Sequence, residues 1–274
     1  MKYKEIKLGN YIPTSTASVY LYLLDYSQEI SISERPMVVV CPGGAYAFTS
    51  DREAEMIALQ FTAMGYHAAV LRYSVAPAVF PAALLELGKT VELIRENAAE
   101  WKIDSAKIVI TGFSAGGHLA ASYGVYWNSP WVAEELKTDM SVLQPNALIL
   151  GYPVITSGEY AHQGSIQNLL GEEYDSKAED MSLEKHVGKQ VPRSFVWHTY
   201  EDQAVPVQNS LLFVNELVKN HIPVEFHMFE KGAHGLALGT RTTMDNNGGG
   251  INLAASEWIH LVHTWLEGWI HEAS

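Results

Sequence analysis

The sequence predicts an α/β fold in which a mostly parallel central sheet carries helices on both faces. Two observations lead to this prediction. First, six short apolar segments recur, and several of them are too uniformly apolar for strands with one solvated face, which is typical of central parallel strands; the six span residues 37–41, 67–73, 107–111, 147–152, 194–198 and 224–229. Second, segments with helical spacing alternate with these strands, as they do in right-handed βαβ units.

The helical segments show apolar residues at every third or fourth position. One such pattern runs from Leu84 to Trp101, and another runs from Ala54 to Met64 and ends before a glycine. Residues 253–271 predict a closing helix, and the opening stretch through residue 25 predicts one or two antiparallel edge strands. Because ligands bind at the carboxyl ends of parallel strands, we expect functional residues directly after strands.

Composition and charge exclude several classes of partner. The chain has 274 residues, and its 18 basic and 31 acidic residues give a net charge of −13. Such a surface repels nucleic acid and anionic membranes, so neither is expected as a partner. Cys41 is the only cysteine, which excludes an intrachain disulfide and favours a reducing, cytoplasmic location. We find no signal peptide and no apolar run of about 20 residues, and a homo-oligomer is compatible with the sequence.

The chain is predicted to form a single domain over residues 1–274, because no boundary, repeat or long linker interrupts the alternation of strands and helices. Residues 156–191 differ from the rest. They are polar and charged with scattered apolar positions, and they predict short helices inserted over the sheet. This inserted segment is expected to form a small cap or a pocket wall.

A nucleophile elbow is predicted at residues 112–116, Gly-Phe-Ser-Ala-Gly, which follow the third apolar segment and precede a helical run. The small residues let the chain turn sharply, so that the Ser114 hydroxyl stands clear of its backbone at a helix N-terminus, where negative charge is favoured. The alternative is an ordinary glycine-rich turn with Ser114 as a helix cap. A catalytic serine needs an imidazole, and the imidazole needs a carboxylate.

Both partners are found downstream. Asp202 follows the fifth apolar segment and is predicted to be the orienting carboxylate, with Glu201 as the competing assignment and a solvated loop acid as the alternative for either. His234 lies in a glycine-flanked loop after the sixth segment and is predicted to be the general base. The other histidines are expected to be structural or exposed. The chain order Ser114, Asp202, His234 is that of the α/β-hydrolase fold.

An oxyanion loop is predicted in the Pro-Gly-Gly-Ala segment that follows the first apolar strand. The amides of Gly44 and Ala45, with that of Gly43 as a third candidate, are expected to join that of Ala115, because small side chains permit close approach; which of the three loop amides donate is left open by the sequence. A phosphate-cradling loop is the alternative, but neither a P-loop lysine nor G-x-G-x-x-G spacing occurs. No metal or other cofactor is predicted, since the sequence has no H-E-x-x-H motif or close ligand cluster.

The chain resembles the α/β-hydrolase esterases of the acetyl esterase and acetylxylan esterase-like group and, more distantly, hormone-sensitive lipase-type enzymes. The matching segments are residues 41–46, 50–55, 112–121, 151–155, 197–206 and 232–236. The loop departs from the pattern, since Pro42 stands where such lipases have His, and Ala45 where a third Gly is usual. The candidates for lining the substrate pocket are Tyr46, Arg52, Glu53 and Tyr152, of which Arg52 and Glu53 could instead form an ion pair.

The resemblance implies a serine esterase that hydrolyses short acyl esters, often acetyl groups on sugars. His234 would deprotonate Ser114, an acyl-enzyme would form, and Asp202 would stabilise the imidazolium. The expected partner is a small-molecule ester. Two alternatives stay open: an exopeptidase or amidase of the prolyl-oligopeptidase type, and a non-catalytic ligand-binding protein on a hydrolase scaffold.

Overall fold

An eight-stranded sheet forms the centre of the molecule, and the computed structural model describes residues 1–272 of the chain. The strands are β1 (Lys2–Lys7), β2 (Ser18–Leu23), β3 (Arg35–Cys41), β4 (His67–Arg72), β5 (Ile103–Phe113), β6 (Ala147–Gly151), β7 (Arg193–Thr199) and β8 (Val224–Phe229). Their order in space is β1-β2-β4-β3-β5-β6-β7-β8. The last two residues of the predicted domain lie outside the described residues.

Strands β3 to β8 pair in parallel, whereas β1 and β2 are antiparallel to their neighbours. The predicted fold class, including the antiparallel edge, is therefore confirmed. The helices are α1 (Glu55–Ala63), α2 (Ala82–Glu96), α3 (Ala98–Trp101), α4 (Ala115–Tyr126), α5 (Pro130–Leu136), α6 (Gln163–Leu170), α7 (Tyr174–Lys177), α8 (Gln208–Lys219) and α9 (Trp258–Glu272). Within residues 1–272, no helix is long and apolar enough to cross a membrane.

The sheet is buried on both faces because its central strands are apolar on both. Residues 37, 39 and 41 of β3 enter one core with side chains of α2, α4 and α8, and residues 38 and 40 enter a second core with α1 and α9. All five of these β3 side chains are fully buried. The continuous apolar runs are therefore buried on both faces, as the sequence pattern predicts. Only the ends of the strands remain available for functional residues.

Several boundaries differ from the sequence prediction by one to five residues, and three of the differences have a clear local description. Strand β6 ends one residue early because Tyr152 adopts a left-handed φ of 35°. The predicted helix from Leu84 to Trp101 is divided at Asn97, whose side-chain amide donates to the carbonyl of Leu93 at 2.7 Å. The closing helix begins at Trp258, after a 3₁₀ turn.

Residues 156–191 contain α6, α7 and three 3₁₀ turns, at Gly171–Glu173, Ala178–Met181 and Leu183–His186. This segment joins the sheet through hydrogen bonds. Asn168 on α6 donates to the carbonyl of Ala45 at 2.9 Å, and the carbonyl of Met181 bonds the buried ring of His118 on α4 at 3.1 Å. The inserted segment therefore packs beside the carboxyl ends of the parallel strands.

Candidate active site

Ser114 stands at the sharp turn between β5 and α4. Its backbone adopts φ 53° and ψ −121°, a strained combination for a residue with a side chain. The turn is possible because two glycines pack tightly: a Cβ on Gly112 would lie 2.1 Å from the carbonyl oxygen of Gly116, and a Cβ on Gly116 would lie 2.1 Å from that of Cys41. Ser114 is thereby held at the carboxyl edge of the sheet, only 8% exposed.

The side chains of Ser114, His234 and Asp202 form one hydrogen-bonded chain. His234 Nε2 lies 2.7 Å from Ser114 Oγ, and His234 Nδ1 lies 2.7 Å from Asp202 Oδ2. Asp202 follows β7 and His234 follows β8, so the three residues come from loops at the same edge of the sheet. In this geometry the hydroxyl donates to Nε2 while Nδ1–H donates to the carboxylate.

The Asp202 carboxylate is buried but well supplied with donors. Its Oδ1 accepts hydrogen bonds from the amides of Ala204 and Val205 at 3.0 and 2.9 Å. Burial raises the pKa of this carboxyl, but hydrogen bonds from His198 and His234 outweigh that effect and hold the pKa well below its ordinary value. Asp202 therefore stays ionised and keeps the ring of His234 in one tautomer.

Glu201, the competing acid, is exposed and makes no contact with the imidazole. Its Oε2 accepts only a long hydrogen bond, 3.4 Å, from the amide of Gly232. His198 was expected to be structural, and it is fully buried with its Nδ1 2.8 Å from Ser210 Oγ. Its Nε2 also lies 3.4 Å from Asp202 Oδ2, a contact between residues four positions apart that no sequence motif indicates.

The oxyanion loop offers free amides, but not all of the predicted ones. Gly43 N–H donates to the buried carboxylate of Glu53 at 2.8 Å. Contrary to the prediction, this amide is engaged and is not free for an oxyanion. The amides of Gly44, Ala45 and Ala115 have no acceptor within residues 1–272. Those three groups lie around Ser114, two on the loop and one at the start of α4.

Side chains hold the oxyanion loop in an unfavourable backbone conformation. Ala45 and Tyr46 have φ values of 54° and 56°, which non-glycine residues seldom adopt. Asn168 fixes the carbonyl of Ala45, and the Tyr46 hydroxyl lies 3.0 Å from His118 Nδ1. Because His118 Nε2–H donates to the carbonyl of Met181, its Nδ1 accepts from the tyrosine. Burial lowers the pKa of His118 to about 4, so the ring is neutral.

A second buried connection joins the oxyanion loop to the histidine loop. The Tyr152 hydroxyl donates to Glu53 Oε1 at 2.6 Å and accepts from the amide of Ala237 at 2.9 Å. The same ring packs edge-on against His234, with centroids 5.1 Å apart. Burial, with the neighbouring Glu53 charge, raises the pKa of Tyr152 well above its ordinary value, so the hydroxyl keeps its proton. Glu53 and Tyr152 thus join the oxyanion loop to the histidine loop.

Most of the chain matches a known protein family. The chain matches the BD-FAE family over residues 24–217, a range that includes Ser114, Asp202 and the oxyanion loop. The chain belongs to the BD-FAE family. His234 lies beyond the matched range, so its place is given by the structure. The resemblance to acetyl esterases and acetylxylan esterases is confirmed by this match and by the relatives below.

Two solved structures and one sequence relative are similar to this BD-FAE chain. The acetyl ester-xyloside bifunctional hydrolase of Caldicellulosiruptor lactoaceticus is 35% identical, with a TM-score of 0.79 over 92% of this chain and 88% of that one. The carboxylesterase Cest-2923 of Lactobacillus plantarum WCFS1 is 29% identical, with a TM-score of 0.87 over 98% of both chains. Endo-1,4-beta-xylanase B of Butyrivibrio fibrisolvens is 38% identical over 75% of this chain, which spans 33% of that relative's length.

A cleft of about 300 Å³ opens over Ser114 and His234 in the BD-FAE chain. Of the four predicted pocket residues, Arg52 and Glu53 line it. Tyr46 and Tyr152 do not; they are 2% and 1% exposed and lie behind the cleft, because their hydroxyls are bonded to His118 and Glu53. The expectation that these tyrosines touch substrate is therefore corrected to a supporting position.

Four further residues line the cleft of the BD-FAE chain and were not predicted as site residues, namely Phe48, Ser50, His162 and Gly235. Phe48 stands on the oxyanion loop, and His162 is the N-cap of α6. Neither belongs to a motif, and only its place after the loop glycines could have drawn attention to Phe48. No group of three or more metal-ligating side chains occurs among the residues that the structure describes. Burial raises the pKa of the Cys41 thiol, which opposes a role as nucleophile.

Proposed function

We propose that this chain is a serine carboxylesterase that hydrolyses short acyl esters, above all acetyl esters, through an acyl-enzyme. One observation carries the proposal: the serine hydroxyl, imidazole and carboxylate form a continuous chain of 2.7 Å contacts beside three free amides. A carboxylesterase and an acetyl ester-xyloside hydrolase of the same fold support it. None of the three relatives described above is named as a peptidase or a binding protein.

The reaction follows from the positions of the groups. His234 Nε2 accepts the Ser114 proton as Oγ attacks the ester carbonyl, and the resulting oxyanion receives hydrogen bonds from Gly44, Ala45 and Ala115. The imidazolium, stabilised by Asp202, then protonates the departing alcohol. Water enters, is deprotonated by the same imidazole, and releases the acid from the acyl-enzyme. No step requires a cofactor.

Covalent labelling tests the proposed nucleophile. We expect a fluorophosphonate to add one adduct, mapped by peptide mass spectrometry to Ser114, and 4-nitrophenyl acetate to be hydrolysed faster than the octanoate. Ser114→Ala should lose the adduct and reduce kcat/KM by at least about ten-thousandfold, since a triad without its nucleophile retains little rate. An adduct elsewhere, or turnover retained by the variant, would contradict the proposal.

We also propose that the enzyme acts in the reducing cytoplasm. The support is the single cysteine, which is fully buried and has no partner for a disulfide within the chain. Fractionation of cells that express the native gene, followed by fluorophosphonate labelling of each fraction, tests this location. A labelled band of the right mass confined to the periplasmic or extracellular fraction would contradict it.

A further inference from the structure

A second buried histidine contacts the carboxylate of the triad. His198 lies near the end of β7, four positions before Asp202, and its side chain is fully buried. Its Nε2 lies 2.9 Å from the carbonyl oxygen of Val205 and 3.4 Å from Asp202 Oδ2. Its Nδ1 lies 2.8 Å from Ser210 Oγ on α8. The reaction proposed above uses none of these contacts.

The atoms around the His198 ring fix the position of its hydrogen. A backbone carbonyl and an ionised carboxylate can only accept hydrogen bonds, so Nε2 carries a hydrogen whether the ring is neutral or charged. The Ser210 hydroxyl can donate or accept, so it matches either state of Nδ1. The Val205 carbonyl takes the larger share of the Nε2 hydrogen because it is closer, and Asp202 Oδ2 takes the smaller share.

The carboxylate oxygen that faces His198 is also the one that contacts the catalytic imidazole. Asp202 Oδ2 lies 2.7 Å from His234 Nδ1. The other oxygen, Oδ1, accepts from the amides of Ala204 and Val205. Two N–H groups therefore share the negative charge of Oδ2. Because each donor offsets part of that charge, the imidazolium of His234 is attracted less strongly than it would be without His198.

We propose that His198 is a positioning residue that sets the pH range of catalysis through Asp202. Its Nε2–H offsets part of the Asp202 charge, so His234 loses its proton and becomes a base at a lower pH than it would beside a carboxylate bonded to it alone. The His198 and Asp202 side chains are both fully buried, so water does not screen this effect. This inference rests on the proposed esterase function and concerns the pH range of the same site.

Other titratable groups also face the triad. The ring of Tyr152, which follows β6, packs against His234 with centroids 5.1 Å apart, and its hydroxyl keeps its proton. His162, at the N-cap of α6, faces the imidazole and the carboxylate of the triad, and burial lowers its pKa. Glu201 is exposed on the acid loop, and Arg52 lines the cleft. The substitutions below leave all of these groups in place, so their influence on the pH profile is common to every variant.

Two substitutions separate the Nε2 hydrogen from the rest of the ring. His198→Gln keeps an N–H near the position of Nε2, whereas His198→Asn is one methylene shorter and loses the donor to Asp202. Neither amide titrates, so a charge on the ring cannot explain a difference between them. In His198→Asn more of the Asp202 charge faces the imidazolium, which therefore keeps its proton to a higher pH.

The readout is the acid limb of the pH profile of kcat/KM on 4-nitrophenyl acetate. We expect the midpoint of this limb to rise by about 0.5 pH unit in His198→Asn, so that kcat/KM below the midpoint falls about threefold more than on the plateau. His198→Gln should stay within about 0.2 pH unit of wild type. His198→Phe, which keeps a ring without any N–H, should raise the midpoint as His198→Asn does, so the test does not depend on the folding of one variant.

Ser210→Ala is the matched control. It removes the contact on the Nδ1 side of the same ring, at a position that is also fully buried, and it leaves the Nε2 hydrogen in place. We expect a lower melting temperature but an acid limb within about 0.2 pH unit of wild type. An equal rise of the midpoint in Ser210→Ala and His198→Asn would show a general loosening of the site. That result, or an unchanged or lowered midpoint in His198→Asn, would overturn the inference.

A measurement without substrate keeps this inference separate from the esterase proposal. The hydrogen in the 2.7 Å contact between His234 Nδ1 and Asp202 should give a strongly deshielded proton NMR signal that shifts as the imidazole titrates, and His234→Ala identifies the signal by its absence. We expect the midpoint of this shift to rise by about 0.5 pH unit in His198→Asn. If the wild type hydrolyses no ester but the NMR midpoint rises, the esterase proposal fails and the role of His198 stands. If esters are hydrolysed and the midpoint is unchanged, the role of His198 is wrong and the esterase proposal stands.

Discussion

The triad and the oxyanion loop meet at Ser114, but they are held in place differently. Ser114 follows β5 immediately, while Asp202 and His234 lie on short loops after β7 and β8, so the ends of these strands bring the triad together. The oxyanion loop instead depends on buried side chains from other parts of the chain, namely Glu53, Tyr152, His118 and Asn168. The position of Ser114 therefore depends on the sheet. The positions of the oxyanion donors depend on a polar network that a single substitution can disrupt.

The largest effect is expected within the triad. Asp202→Asn should lower kcat about ten-thousandfold, because the neutral amide favours the wrong tautomer of His234. Glu201→Gln is the matched control and should stay within about twofold of wild type, since this side chain is exposed. Steady-state rates on 4-nitrophenyl acetate decide between them. Equal losses in the two variants would contradict the assignment of the acid.

The next effect concerns His118, which lies behind the oxyanion loop, and the loss of protein stability at low pH. The pKa of His118 is about 4 in the fold, below the ordinary 6.5, so its contribution is complete above pH 6.5 and is lost as pH falls to 4. We expect the free energy of unfolding to decrease by about 3 kcal/mol more in wild type than in His118→Gln between pH 7 and 4. Urea titrations of both proteins at pH 7 and pH 4 measure this difference. An equal decrease in the two proteins would contradict a buried, neutral His118.

A smaller loss is expected when the link between the two loops is weakened. Glu53→Gln should lower kcat about thirtyfold with a lesser change in KM, because the Gly43 amide on the oxyanion loop loses its charged acceptor. Tyr152→Phe removes the other end of the same link. The double variant should be no worse than the poorer single variant, as residues of one network are not additive. Full additivity would show that they act separately.

The smallest effect is expected on the outer side of the oxyanion loop. Asn168→Ala removes one hydrogen bond to the carbonyl of Ala45 and should lower kcat about fivefold. Gln167→Ala, at the exposed neighbouring position of α6, is the control. Rates on 4-nitrophenyl acetate and melting temperatures are measured together. An equal loss in the control, or no loss in either variant, would show that α6 does not support the loop.

These contrasts also explain how much of the site could be predicted from sequence. The elbow, Asp202 and His234 could be identified because each follows an apolar strand, and because glycines flank Ser114 and His234. The Gly43 amide could not be excluded as an oxyanion donor, since its acceptor is a side chain ten positions away that also looks like a substrate contact. Tyr46 and Tyr152 were expected in the pocket because they follow strands near Ser114. The sequence indicates which loop a residue belongs to, but not the direction in which its side chain points.

The sequence by itself determined the parallel sheet, its antiparallel edge and the order of the three reacting groups, because hydrophobic periodicity and strand-end position are local properties. Only the tertiary structure decided how the anion site is supported and what lines the cleft. Tyr152 and Glu53 are 99 residues apart, and Asn168 and Ala45 are 123 apart. Contacts over such separations leave no periodic signal, since they depend on how distant elements pack once the sheet has formed.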